Sequence, residues 1–211
     1  MGECGTSSCD HAAMSPNADH PHPPAATERP DLPPWLADAE RLDLAVYAAI
    51  AATGTPALDR ALAGLSRAAD YSKLSLAAAG ALSLFGGPTG RRAALSGLAS
   101  LAVTATVVNL AFKSAVRRRR PDPAGVPLAR QVPMPSSRSF PSGHSAAAFA
   151  FATGVGDVQP GAAIPLRALA AAVAFSRVHT GVHYPGDVIA GALSGVTLGQ
   201  LTSWALRRAR A

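Results

Sequence analysis

Three short stretches of the chain collect the side chains that phosphoryl chemistry uses. Lys113 is followed, after six intervening residues, by Arg120-Pro121. Pro141-Ser142-Gly143-His144 comes next. Ser176-Arg177 then leads, after five residues, to His183 and, after three more, to Asp187. These cations, two histidines and one carboxylate lie in or beside strongly apolar segments. Charged groups at membrane depth are unfavourable and usually functional.

In the third stretch Pro185 suits the first position of a helix, so Asp187 falls in that helix's first turn and His183 just before it. A carboxylate four residues on reaches one ring nitrogen of His183. That bond fixes the tautomer and leaves the other nitrogen bare, which is how an imidazole becomes a nucleophile toward phosphorus. The helix N-terminus adds free N–H groups that favour an anion. The plainer reading is a capped helix with an ordinary interfacial histidine. In the second stretch Gly143 permits close approach of backbone to a phosphate oxygen, Ser142 offers a hydroxyl, and His144 in the first turn faces the same anion. A protonated His144 can give its proton to a leaving oxygen; the plainer reading is a Ser-capped helix. In the first stretch Lys113 and Arg120 are nearly two helical turns apart, which puts both on one helix face. Pro121 disfavours helical backbone at Arg120. Arg117, Arg118 and Arg119 read as an interfacial collar for anionic lipid headgroups rather than as site residues. Arg177 adds a cation suited to bidentate phosphate binding.

Taken together, the three stretches resemble the signature of the type 2 phosphatidic acid phosphatases, or lipid phosphate phosphatases, with every motif position filled. The motifs span Lys113 to Asp187, and the helical layout extends the likeness over about residues 40–206. The resemblance implies a phosphohistidine mechanism. His183 would attack phosphorus, Asp187 would orient it, and His144 would protonate the leaving group. Lys113, Arg120, Ser142, Gly143 and Arg177 would hold the phosphoryl oxygens. No metal and no other cofactor is called for. His179 falls outside the pattern and reads as structural.

Composition fits a membrane protein whose few charges are concentrated at a site. Hydrophobic residues make up 48% and charged residues 15% of the 211, against roughly 25% charged in soluble domains. A net charge of +6 is compatible with phosphate, anionic lipid or nucleic acid. Aromatics are only 5% and the basic residues flank apolar segments, which argues against nucleic acid. Cys4 and Cys9, with His11, His20 and His22, sit in a polar Pro-rich stretch with no compact ligand spacing.

The expected fold is all-α: residues 1–34 a flexible polar tail, and residues 35–211 a membrane-embedded bundle of about six helices with the active site at one membrane face. The helices are expected over 40–53, 73–86, 93–112, 141–156, 163–178 and 185–206, with an amphipathic interfacial continuation of the first around 58–69. The loop 122–140, with Pro123, Pro127, Pro133 and Pro135, reads as a lid or entrance. Alternation of the later helices puts all three motifs on one side. Arg91, Arg92, Arg167, Arg207, Arg208 and Arg210 fall on the other, which the positive-inside rule makes cytoplasmic. The expected protein is thus a multi-pass plasma-membrane phosphatase with an extracytoplasmic site. Its partners would be membrane lipids and a lipid phosphate or diphosphate: phosphatidic acid, phosphatidylglycerol phosphate or a polyprenyl phosphate. The alternatives are a soluble acid phosphatase or vanadate haloperoxidase, and a catalytically idle protein that binds anionic lipid.

Overall fold

The structure, a computed structural model, describes residues 33–116 and 118–209. The expected tail, with its cysteines and histidines, lies outside these residues except for Pro33 and Pro34, and so do Arg117 and Arg210. Among the described residues there are seven helices of more than one turn and no strand: α1 (Pro34–Ala52), α2 (Pro56–Ala68), α3 (Lys73–Phe85), α4 (Gly87–Val107), α5 (Gly143–Val158), α6 (Pro160–His179) and α7 (Pro185–Arg208). A π-helical turn, Val108–Phe112, and one more helical turn, Lys113–Ala115, extend α4.

Prolines set five of the helix starts. Pro34, Pro56, Pro88, Pro160 and Pro185 each stand in a first turn, where the missing N–H costs nothing and the fixed φ suits the helix. This corrects several expected boundaries. Residues 58–69 do not continue the first helix: Thr53 is extended and Pro56 opens a separate α2. Gly86-Gly87-Pro88 ends α3 and also opens α4 six residues earlier than expected. The expected turn at 157–161 shrinks to a break at Gln159.

The core is built from small side chains at helix crossings, with α5 packed against α4, α6 and α7. Ala93, Ala94, Phe151 and Val155 join α4 to α5, and Ala79 of α3 completes the cluster. Along α7, Asp187, Gly191, Gly195, Gly199 and Ser203 recur every four residues, and all are buried. A Cβ at Gly191 would meet the Ser142 carbonyl at 2.4 Å, and one at Gly195 the Ala146 carbonyl at 2.2 Å. The two backbones therefore touch directly, as in small-residue helix pairs. This contact seats the start of α7 beside the start of α5, and with them His183 and Asp187 beside Ser142 and His144.

Large apolar side chains point outward all around the bundle: Leu84, Phe85, Leu95, Leu110, Ile164, Leu193 and Leu201 are exposed. A surface of this kind needs lipid or another apolar cover. The continuous helix Gly87–Ala115 (29 residues) and α6 (20 residues) are long and apolar enough to cross a bilayer. At 1.5 Å per residue they measure about 43 and 30 Å, against a hydrocarbon core of about 30 Å. Helix α1, by contrast, buries none of its residues fully and lies against α6 and α7. Helix α2 buries Asp59, Leu62, Ala63 and Ser66, a one-face stripe, against α6.

Candidate active site

Four segments meet at one end of the bundle. They are the end of the α4 extension, the loop 116–142 with the start of α5, the α6–α7 turn, and the turn between α2 and α3.

The α6–α7 turn is shaped by one glycine. Helix α6 ends with Thr180 as its cap and Gly181 at φ +72°, a left-handed position that glycine takes at little cost. The Gly181 N–H bonds to the Val178 carbonyl at 3.0 Å, and the Val182 N–H to the Arg177 carbonyl at 3.1 Å, the Schellman pattern. The Arg177 carbonyl also accepts from the His183 N–H at 3.1 Å. The chain therefore folds back over the last turn of α6, and His183 lands beside Arg177. Arg177 itself is in the last turn of α6.

His183 is 1% exposed. Its Nδ1 is 3.5 Å from Asp187 Oδ2 and 3.4 Å from Ser139 Oγ. Its Nε2 is 3.0 Å from Arg120 Nη1. An arginine N–H can only donate, so the imidazole presents a bare Nε2 there and carries its proton on Nδ1, the side of the carboxylate. Burial lowers the His183 pKa from 6.5 to about 4; the hydrogen bond to Asp187 works against this, and the charges of Arg120 and Arg177 work with it. The ring is neutral at pH 7.

Asp187 is fully occupied. Its Oδ2 accepts from the Tyr184 N–H at 3.0 Å, closing a capping box at the start of α7, and from the Ser139 hydroxyl. Its Oδ1 accepts from Arg118 Nη1 at 2.9 Å. Arg118 Nη2 in turn donates to Asp43 Oδ2 of α1 at 2.5 Å, and Asp43 Oδ1 accepts from the Gly186 N–H at 2.6 Å. The guanidinium also lies 4.4 Å from the Tyr184 ring centroid. For Arg118, then, the expected lipid collar is wrong. Its side chain turns inward and links α1, the catalytic-type carboxylate and the α7 N-terminus. Burial opposes its charge, but Asp187 and Asp43 outweigh burial and raise its pKa above the ordinary arginine value.

Lys113 and Arg120 also converge, though not by sharing a helix face. The helix stops at Ala115, and Val116 is extended (φ −111°, ψ 116°). Both side chains instead grip Ser137. Lys113 Nζ is 3.2 Å from Ser137 Oγ, while Arg120 donates to the Ser137 carbonyl at 2.8 Å and to its hydroxyl at 3.2 Å. A further Arg120 bond reaches the Val182 carbonyl at 2.8 Å. Burial, and then the charge of Arg177, lower the Arg120 pKa to about 10. Lys113 Nζ lies 3.6 Å from where a Cβ on Gly143 would stand, which puts the ammonium next to the α5 N-terminus. Ser142 occupies the N-cap of α5 without its hydroxyl capping the helix. Its N–H donates to the Asp187 carbonyl at 2.9 Å, tying α5 to α7.

Arg177 is 1% exposed. Its Nη1 donates to Ser66 Oγ at 2.7 Å and to the Ser66 carbonyl at 3.1 Å. Its Nε is buried with no hydrogen-bond partner. A buried, unpaired guanidinium N–H is a donor awaiting an acceptor. His144 is more open, its side chain 26% exposed, and its Nε2 is 3.1 Å from Asp70 Oδ1. The same oxygen is 3.4 Å from Arg177 Nη1. Asp70 rides on a turn in which Tyr71 and Ser72 both have positive φ (+56° and +57°). Such backbone costs on the order of 1–3 kcal/mol per non-glycine residue and clusters at functional sites.

The loop 122–140 is fastened rather than free, contrary to its reading as a lid. Arg130 is buried and donates to Asp59 Oδ1 at 2.9 Å and to the Ile50, Ala51 and Thr53 carbonyls at the end of α1. His179 Nε2 joins the same Asp59 oxygen at 2.9 Å, so His179 belongs to this structural network, as expected. Ser139 N–H bonds to the Arg118 carbonyl at 3.1 Å. The residues missed in sequence are Asp43, Asp70, Ser137, Ser139 and the inward role of Arg118. Arg118 stood in a visible basic run; the others carry no local signal.

A helical bundle with an apolar outer surface, a carboxylate-held imidazole and Lys, Arg and Arg gathered around it is a frame suited to phosphate-ester chemistry. The comparisons agree. Residues 93–211 match the PAP2 superfamily. The chain is 36% identical over 168 residues to the decaprenylphosphoryl-5-phosphoribose phosphatase of Mycobacterium tuberculosis (strain H37Rv), an alignment covering 77% of this chain and 90% of that protein. It is 37% identical over 166 residues to the phosphatase of the same name from Mycolicibacterium smegmatis, covering 74% and 84%. In structure it resembles LpxE of Aquifex aeolicus (TM-score 0.62, 23% identity, 76% of this chain and 94% of that one). It also resembles the transmembrane PAP2-type phosphatidylglycerolphosphate phosphatase of Bacillus subtilis (TM-score 0.61, 24% identity, 81% and 87%). The chain belongs to the PAP2 superfamily and is a phosphatase of that family.

Proposed function

We propose that this protein hydrolyses a phosphate monoester carried on a membrane lipid, through a phosphohistidine formed on His183. The observation that carries the reading is the pair of contacts on one ring, with Nδ1 against Asp187 and Nε2 facing Arg120. Nε2 attacks phosphorus and the P–O bond to the alcohol breaks. His144 gives its proton to the departing oxygen. Water then attacks the phosphohistidine, His144 takes a proton from that water, and inorganic phosphate leaves. Lys113, Arg120, Arg177, the Ser142 hydroxyl and the N–H groups at Gly143 bind the phosphoryl oxygens and stabilise the charge that grows in the transition state. The unpaired Nε of Arg177 supports its part in this. Nothing in these steps requires a metal ion.

The relatives' names point to a polyprenyl-linked phosphopentose, and we take a polyprenyl-phosphosugar monophosphate as the favoured substrate. The chain spans the membrane several times, with the site at the extracytoplasmic face. Arg91 and Arg92 at the start of α4 and Arg207 and Arg208 at the end of α7 stand at the opposite end of the bundle, where the positive-inside rule expects the cytoplasm. Arg207 pairs with Asp157 there. The test is phosphate release by purified full-length protein, in detergent with chelator, from polyprenyl-phosphosugar phosphate, phosphatidic acid, phosphatidylglycerol phosphate and polyprenyl diphosphate. The sugar-linked monoester should give the largest kcat/KM; a preference for the diphosphate would overturn the substrate assignment.

A further inference from the structure

The signature motifs account for one carboxylate–histidine pair, Asp187 with His183. The structure contains a second beside it, and its carboxylate comes from outside every motif. Asp70 Oδ1 is 3.1 Å from His144 Nε2 and 3.4 Å from Arg177 Nη1. We propose that Asp70 is a positioning residue for the leaving-group proton, favouring the protonated form of His144 and keeping it in register with Arg177. This rests on the reading of His144 as the proton donor.

The surroundings of His144 show why it needs a partner: burial first, then the charge of Arg177, lower its pKa from 6.5 to about 4, and Asp70 works against them. Arg177 faces it from the end of α6, His183 from the α6–α7 turn, and Lys113 stands beside the preceding residue, Gly143, from the α4 extension. Two of these are cations, and cations next to an imidazole favour loss of its proton. Asp70 is the negative group facing it among the described residues that act on it electrostatically. With Nε2–H held on Asp70, Nδ1 carries the proton that passes to the departing alkoxide as the P–O bond breaks. The ring ends neutral and is recharged by the water that hydrolyses the phosphohistidine. Because one oxygen of Asp70 reaches both His144 and Arg177, the carboxylate also ties the donor to the cation that holds the phosphoryl group. Arg177 is fixed from its other side by Ser66, so the pair has a rigid reference.

The experiment compares two leaving groups. A long-chain alkyl phosphate needs a proton on its oxygen to leave; 4-nitrophenyl phosphate leaves as a stable phenolate and needs none. In full-length protein, Asp70→Asn should lower kcat on the alkyl phosphate by roughly 10- to 100-fold and on the nitrophenyl ester by less than about threefold. The alkaline limb of its pH profile should move to lower pH, and Asp70→Glu should recover part of the loss. Equal losses on both esters, or no loss on either, would overturn the proposal, since a merely structural residue ignores the leaving group. His144→Gln separates the two levels of the argument. If its loss is the same for both esters, the proton-donor reading itself fails. If its loss depends on the leaving group while that of Asp70→Asn does not, Asp70 alone is misassigned.

Discussion

His183 and His144 sit in one site and are held in opposite ways. His183 lies in a turn that backbone geometry dictates: a Schellman stop at Gly181, a proline start at Pro185, and a carboxylate saturated by Ser139, Tyr184 and Arg118. It is buried and neutral. His144 stands in the open first turn of α5, and its partner arrives on a strained turn between α2 and α3, itself one-third exposed. In the mechanism we propose, the nucleophile must keep one geometry and one tautomer, which embedding provides, and the proton donor must exchange its proton with substrate and water, which its open position allows.

That contrast can be broken most severely at His183. His183→Gln should lower kcat by at least about 10⁴-fold with the fold intact, since removing a nucleophile leaves only binding and electrostatics; retention of more than a hundredth of the activity contradicts the assignment. Next comes the helix contact that keeps the two histidines together. Gly195→Val places side-chain atoms where the Ala146 carbonyl stands, and overpacking of this kind costs about 1–3 kcal/mol or more. Lower thermal stability in detergent, with parallel loss of activity, is the expected result. A smaller effect tests the support of the embedded half. Arg118→Ala should lower kcat by roughly 10- to 100-fold with little change in KM, as losing an orienting neighbour does elsewhere. An unchanged kcat would return Arg118 to the lipid collar.

The same contrast predicts a pH profile. The His183 pKa falls from 6.5 to about 4 on folding, so the ring is competent at acid pH and the rising limb of kcat/KM should lie well below 6.5. The falling limb should follow loss of the proton from His144, which burial and the charge of Arg177 also move to acid pH against the pull of Asp70. A profile that only rises from acid to alkali would contradict the division of labour. The stability sign follows from the same group. The fold favours the neutral ring, so this contribution is full above about 6.5 and is lost as pH falls through about 4. Thermal midpoints should decline across that window in wild type and less so in His183→Gln.

The embedded half was largely readable from the chain. The His183–Asp187 spacing, Pro185 and Gly181 encode their geometry within seven residues, and the long apolar runs announce the helices that carry them. The open half was not. Asp70 and Asp43 lie far from the motifs in sequence and meet them only through packing of α1 and α2, whose polar faces look like ordinary solvated surface. Four consecutive arginines cannot be ranked by composition. Arg118 lies beyond the break in the helix at Val116 and turns inward to Asp187 and Asp43. The same break defeats the helical spacing of Lys113 and Arg120, which meet through Ser137 instead.

The central claim is that the Nε2 of His183 takes the phosphoryl group. Rapid acid-free quench of the enzyme with phosphorus-labelled lipid substrate tests it directly. A labelled protein adduct should form within the first turnover, survive alkali, decay in acid, map to His183, and be absent from His183→Gln. Full turnover with no adduct, or an adduct that persists in His183→Gln, would contradict it.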